Sequence, residues 1–233
     1  MVDSTGRGVI DVRTSAGVSA AQAFEAWEGA VSAAYVPMSV SPVHLGDFHG
    51  RVDAAQFGDL TLSRVRASAQ VARRTRRLVA LSDEPMLFAV IQCGGAPGWL
   101  EQGERVPGPH PGEMYLLDTG RPYTVCVDDC WDRIVAQVPL EPILERTGLR
   151  PNEIRTGVPL PGTGAVGVVG RFFRDLIDLR SEDSAGMELL AAHGMDLLAA
   201  AVRLAASEPR CGRFAEVLDL TDYRSRCAGT TTE

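Results

Sequence analysis

The chain has 233 residues, 45% of them hydrophobic and 23% charged, enough apolar material for one sizeable core and too much for a disordered chain. Its 30 acids outweigh 23 bases, and every base is Arg; with no Lys there is no Schiff base, P-loop lysine or Ser/Lys dyad, and a net charge of −7 disfavours gripping phosphate backbones. Five Cys without paired spacing make no disulfide framework, the opening has no apolar leader and no apolar run reaches bilayer length, so the expectation is a soluble, cytoplasmic protein.

The first element spans residues 19–35. Ser19 with Gln22 three positions on has the form of a capping box, Phe24, Trp27, Val31 and Ala34 recur at helical spacing, and Pro37 marks the stop. An amphipathic helix packed on a core is expected there. From residue 48 to 138 the pattern changes to short β-like runs separated by turns. Leu60 and Leu62 alternate with Thr61 and Ser63, residues 86–93 form a continuous apolar run, and residues 94–98 break it. Residues 99–102 and 105–106 flank Gly103-Glu104 as a two-residue hairpin. Residues 114–117, 123–127 and 134–138 continue the series. Short strands without intervening helices point to an antiparallel sandwich or barrel.

Past Pro139 the signal turns helical. Residues 140–146 read as a short helix ended at Gly148, and a Pro/Gly loop at 158–162 leads into two longer helices over about 165–179 and 187–207. The first carries Val166, Val169, Phe173, Leu176 and Ile177 on one stripe. The second carries Leu190, Gly194, Leu197, Ala201 and Leu204 at 4-3-4-3 spacing, a short coiled-coil-like seam. The fold expected is mainly β with α. A β domain occupies residues 1–160 (arm 1–17), a helical segment 161–208, and a tail 209–233.

Local chemical motifs are weak. Gly162-x-Gly164-x-x-Gly167 matches a dinucleotide fingerprint as a string, but Pro159 and Pro161 precede it and a helix, not a strand, follows, so it reads as a loop entering a helix. The cluster Arg73-Arg74-Thr75-Arg76-Arg77 reads as a solvated edge from which one or two guanidinium groups could turn inward to an anion. His44/His49 and Cys126/Cys130 lack a second pair to complete a metal site, and His110 and His193 are isolated. There is no nucleophile elbow and no Cys–His pair by spacing. No metal, cofactor or catalytic residue is expected, and the chain is expected not to be an enzyme.

The most informative stretch is Pro111-Gly112-Glu113-Met114-Tyr115-Leu116-Leu117-Asp118-Thr119-Gly120-Arg121-Pro122-Tyr123. It resembles a segment of the N-terminal effector-binding domain of AraC-family transcription regulators. Phe24-Glu25-Ala26-Trp27, Phe48-His49-Gly50, Leu60-Thr61-Leu62-Ser63-Arg64-Val65, Arg74-Thr75-Arg76-Arg77, Glu101-Gln102-Gly103 and Val138-Pro139-Leu140 resemble the family's succession of motifs in order, over roughly residues 20–150. The resemblance implies a cupin-like β-barrel that receives a small organic effector, followed by a helical hairpin, here residues 161–208, that forms a homodimer. Family members carry a paired helix-turn-helix module after those helices, for which residues 211–233 offer neither room nor pattern, so DNA contact is expected only through a module absent from this chain.

Within such a barrel, Phe88, Trp99, Tyr115 and Tyr123 are the expected ligand walls, Arg121 the charged anchor and Gln102 a polar partner. Val169, Phe173, Leu190, Leu197, Ala201 and Leu204 are the expected dimer contacts. The competing readings are a stand-alone cupin-type metal enzyme, an isomerase or oxygenase, and a dimeric interaction module without ligand.

Overall fold

A computed structural model describes residues 7–14, 17–44 and 46–207; the expected tail at 209–233 and part of the expected arm lie outside the described residues. Twelve strands and six α-helices follow in order: β1 (Arg7–Arg13), α1 (Ala20–Ala34), β2 (Ser39–Pro42), β3 (His49–Phe57), β4 (Leu60–Ala67), β5 (Gln70–Arg74), α2 (Arg76–Val79), β6 (Met86–Gly95), β7 (Trp99–Gln102), β8 (Glu104–Pro107), β9 (Met114–Asp118), β10 (Tyr123–Val127), β11 (Trp131–Pro139), α3 (Leu140–Thr147), β12 (Pro159–Leu160), α4 (Gly164–Asp178), α5 (Ser184–Ala191) and α6 (Gly194–Ser207). They build a cupin-like β-sandwich of two antiparallel sheets, a seven-stranded one in the order β1-β3-β4-β11-β6-β9-β12 and a five-stranded one in the order β2-β5-β10-β7-β8.

Side-chain alternation along the larger sheet divides the molecule into two cores. Leu87, Ala89 and Ile91 of β6, Met114 and Leu116 of β9, and Ile134, Ala136 and Val138 of β11 pack with α3–α6. Their immediate neighbours Phe88, Val90, Tyr115, Leu117 and Val135 face the smaller sheet, where Leu100, Val125 and Val127 meet them. That double burial is why residues 86–93 read as an unbroken apolar run. Helix α1 buries Phe24, Trp27 and Val31 in the inter-sheet core, with the Phe24 and Phe48 rings 4.2 Å apart. Its capping box forms as expected: the Gln22 amide donates to the Ser19 hydroxyl at 3.3 Å, and the Ser19 amide to the Gln22 side chain at 2.9 Å.

The helical region departs from expectation. The single helix expected over 187–207 is two, α5 and α6, bent by 48°. The break has a packing cause: a Cβ on Gly194 would sit 2.6 Å from Leu60 Cδ2 and 3.3 Å from Phe173, so the backbone comes down onto the sheet there. Gly103 alone makes the β7–β8 turn, at φ +101, with Gln102 paired directly to Glu104 rather than across two loop residues. No single helix among the described residues is long and apolar enough to cross a membrane.

The expected Arg cluster is largely an edge, with one exception. Arg74 is 1% exposed and clasps four segments: Nε donates to the Thr119 carbonyl at 2.8 Å, Nη1 to the carbonyls of Pro37 and Leu78 at 2.6 and 3.2 Å, and Nη2 to the Ser82 hydroxyl at 2.9 Å. Removing it takes the side-chain donor from the buried Thr119 carbonyl and the part-buried Pro37 carbonyl, and a buried group left unpaired costs on the order of 1–3 kcal/mol. Arg74→Met is expected to lower the unfolding free energy by about 3 kcal/mol, read as a lower urea midpoint with unchanged slope; a loss under about 0.5 kcal/mol, the range of ordinary surface substitutions, would refute the clasp.

Candidate functional site

A cavity of about 100 Å³ lies between the two sheets. The larger sheet contributes Val65, Phe88, Val90, Tyr115, Leu117 and Val135; the smaller contributes Val40, Ala72, Tyr123, Val125 and Val127; α1 adds Trp27 and Val31, with Tyr35 just past its C-terminal end. The same period-two alternation places all of these strand residues on the inner face. A space of this size and lining suits a small organic molecule, since dry apolar cavities of comparable size accept single-ring compounds.

A few polar groups interrupt the apolar wall. Trp27 Nε1 donates to Gln70 Oε1 at 2.8 Å, and the Tyr35 and Ser63 hydroxyls share a hydrogen bond of 2.6 Å. Arg133 of β11 is 4% exposed and lines the cavity with Trp131 and Tyr115. Its Nε donates to Gln92 Oε1 at 2.6 Å and its Nη1 to the Tyr115 hydroxyl at 3.2 Å. The guanidinium stands 5.1 Å from the Trp131 ring centre and 5.7 Å from that of Tyr115. Burial pushes the Tyr35, Tyr115 and Tyr123 hydroxyls above the ordinary tyrosine range, opposed at Tyr35 by Ser63, at Tyr115 by Arg133 and at Tyr123 by Arg74.

The structure distributes the expected ligand residues between this cavity and the outside. Phe88, Tyr115 and Tyr123 lie on its wall. Trp99 packs in a separate small cluster with Val71 and Cys126, on the opposite face of the smaller sheet, with Arg105 stacked 3.8 Å over its ring. Gln102 is buried as a backbone bridge, donating to the Asp118 carbonyl at 2.7 Å and accepting from the Asp118 amide at 3.0 Å. Arg121 is exposed, bonded through Nη1 to Thr156 at 3.2 Å, in an outer groove with Arg73 and Glu101. The charged group at the cavity is Arg133 instead. Sequence reading missed it, although an Arg sharing strand parity with Trp131 and Val135 was the available signal.

Among the expected dimer contacts, Val169, Phe173 and Ala201 are buried against the larger sheet within the chain, Leu197 is half-buried, and Leu190 and Leu204 are exposed. Among the described residues no three His, Cys, Asp or Glu side chains gather where they could hold a metal ion. The glycines at 162, 164 and 167 form the entry to α4, whose first turn closes through the Gly167 amide on the Thr163 carbonyl, and both sheets are antiparallel, so the dinucleotide geometry does not arise.

The AraC-binding-like domain family matches residues 27–203. The chain belongs to that family. The transcriptional activator NphR of Rhodococcus sp. is 31% identical over 149 residues, covering 63% of this chain and 44% of that protein. An uncharacterised protein in the nit 5′ region of Bacillus sp. (strain OxB-1) is 26% identical over 151 residues, covering 64% of this chain and 58% of that protein. The chain thus matches about half the length of these relatives. The crystal structure of the AraC-like transcriptional activator CuxR shares the fold, with a TM-score of 0.67 at 15% identity over 97% of this chain and 81% of that one.

The buried hydroxyls give this AraC-binding-like domain a defined alkaline response. A folded-state value raised above the unfolded one contributes stability that is complete below the unfolded value, near pH 10, and is lost as pH rises beyond it. Urea unfolding is expected to show falling stability above pH 10, with a shallower fall in Tyr123→Phe; identical slopes in the two proteins would refute burial of that hydroxyl.

Proposed function

We propose that this chain is the ligand-sensing and dimerisation part of a transcription regulator of the AraC type, with the inter-sheet cavity as its effector site. The observation that carries the reading is the cavity itself: a mostly apolar space with a few placed polar groups, held between two sheets of an AraC-binding-like domain. The naming of NphR and CuxR as transcriptional activators supports the regulatory role, which we place in the cytoplasm. DNA contact is assigned to a helix-turn-helix module outside the described residues. The homodimer is assigned to the outer side of α5 and α6. There Leu190 and Leu204 are 44% and 42% exposed, and Leu197, seven residues before Leu204, shares its helix face.

Two measurements test this reading. Toluene at ten times its Kd is expected to add about 1.4 kcal/mol of stability, a rise in Tm of about 3–6 °C for a domain of this size. Val125→Phe, which fills the cavity, is expected to remove that rise while leaving a cooperative unfolding transition. No rise in the wild type, or an equal rise in the variant, would rule out the cavity as a binding site for neutral apolar molecules.

Sedimentation velocity tests the dimer. Leu204→Glu places an unpaired charge in the proposed seam and is expected to shift the wild-type dimer to monomer at tens of micromolar with the fold intact. A wild-type monomer, or a variant that remains dimeric, would displace the interface from these helices.

A further inference from the structure

Arg133 stands apart from two other arginines, the buried Arg74 and the half-buried Arg64, in what its guanidinium meets. Arg74 spends its donors on three carbonyls and a hydroxyl. Arg64 is paired with Asp132 at 2.8 Å and with Asp178 at 2.9 Å. Arg133, buried at the cavity wall, makes no ion pair among the described residues, and its Nη2 is buried without a hydrogen-bond partner. Its other contacts are neutral: the Gln92 carboxamide oxygen, the Tyr115 hydroxyl and the flanking Trp131 ring. A buried cation without an anion is unfavourable, as is a buried donor without an acceptor.

The geometry points to a small carboxylate as the ligand class of this cavity, with Arg133 as its anchor. Nε and one Nη1 hydrogen are engaged by the protein, which leaves the second Nη1 hydrogen and both on Nη2. An end-on, two-point pairing with a carboxylate takes one hydrogen from each Nη, and these donors can supply it. A carboxylate seated there would neutralise the buried charge and supply the missing acceptor. The rest of the molecule would lie along Phe88, Val90, Val125 and Val135, which offer only hydrocarbon, so the class is a compact aliphatic or single-ring monocarboxylate. A dianion or a sugar would place unpaired polar groups against that wall. This inference rests on the cavity being the effector site, and it adds the chemistry that the site selects.

The test compares acids with their own amides, which have nearly the same shape but no charge. Isovalerate and cyclohexanecarboxylate, each beside its carboxamide, are titrated by calorimetry into the full chain at pH 7.5, with toluene as a neutral probe of the cavity. The expected result is that at least one acid binds ten times or more tighter than its amide, and that Arg133→Gln removes this preference while toluene still binds. Acids no better than amides in the wild type, with toluene bound, would overturn the carboxylate class and leave the cavity reading standing. Binding by none of the three kinds of probe would overturn both. The acid–amide comparison needs no substitution, so a poorly folding Arg133→Gln protein does not blunt it; an acid preference that persists in a folded variant would overturn the role of Arg133.

Discussion

The central strands β11, β6 and β9 of the seven-stranded sheet are buried on both faces, and the rest of the molecule is arranged around that constraint. Each central strand must supply two sets of apolar side chains, one for the helices and one for the facing sheet. In β11 the helix-facing set is Ile134, Ala136 and Val138, and the set turned to the facing sheet is Trp131 and Val135. A slip of one residue would exchange the sets and take Arg133 away from Gln92 and the Tyr115 hydroxyl, its partners on the inter-sheet side. The cavity wall and the helical core are therefore specified by the same register.

That register is corrected at the position where the chemistry sits. The pairing of β11 with β6 runs evenly from Pro139↔Met86 to Arg133↔Gln92 and then skips Cys93, so that Asp132 faces Gly94. Such an irregularity re-aims side chains locally. Here the even register sets Gln92 opposite Arg133 within a 2.6 Å hydrogen bond, and the skip moves Asp132 across from Gly94, with its carboxylate on Arg64 and Arg66. Burial alone would raise the Asp132 carboxyl, but the two guanidinium groups outweigh it and hold the carboxyl below its usual range. Neighbouring residues thus carry opposite charges into different surroundings: Asp132 among arginines, Arg133 among neutral groups.

What the sequence disclosed follows from how local each signal was. The α1 start is written in Ser19 and Gln22 and needs no distant contact. Phe88, Tyr115 and Tyr123 were legible as inward residues because alternation along a strand survives in the sequence. The identity of the charged group was only partly legible: strand parity with Trp131 and Val135 turned Arg133 inward, but its depth depends on the pairing of β11 with β6, which no local pattern records. Likewise the 4-3 spacing of Leu190, Gly194, Leu197, Ala201 and Leu204 continues through Ala192–His193 as if one helix ran on. The bend comes from Gly194 settling against Leu60 and Phe173, residues distant in the chain. Trp99 and Gln102 were misplaced for the same reason, since β7 turns them to the far side of its sheet and into a backbone bridge.

One strand connects the cavity to the helices. Arg133 and Val135 of β11 face the inter-sheet space, Asp132 of the same strand is bridged by Arg64 to Asp178 at the end of α4, and Pro139 leads straight into α3, which packs on α6. Proximity of this kind does not itself transmit a signal; a ligand shifts an arrangement of helices only by binding one arrangement more tightly than another. The geometry does limit where that preference can arise. The apolar walls contact a guest in much the same way whatever the helices do, whereas a directional bond to the guanidinium senses small displacements of β11, because it weakens steeply with angle and distance. In a domain of this construction, the polar anchor rather than the hydrocarbon wall is the contact able to couple occupancy to the helical face.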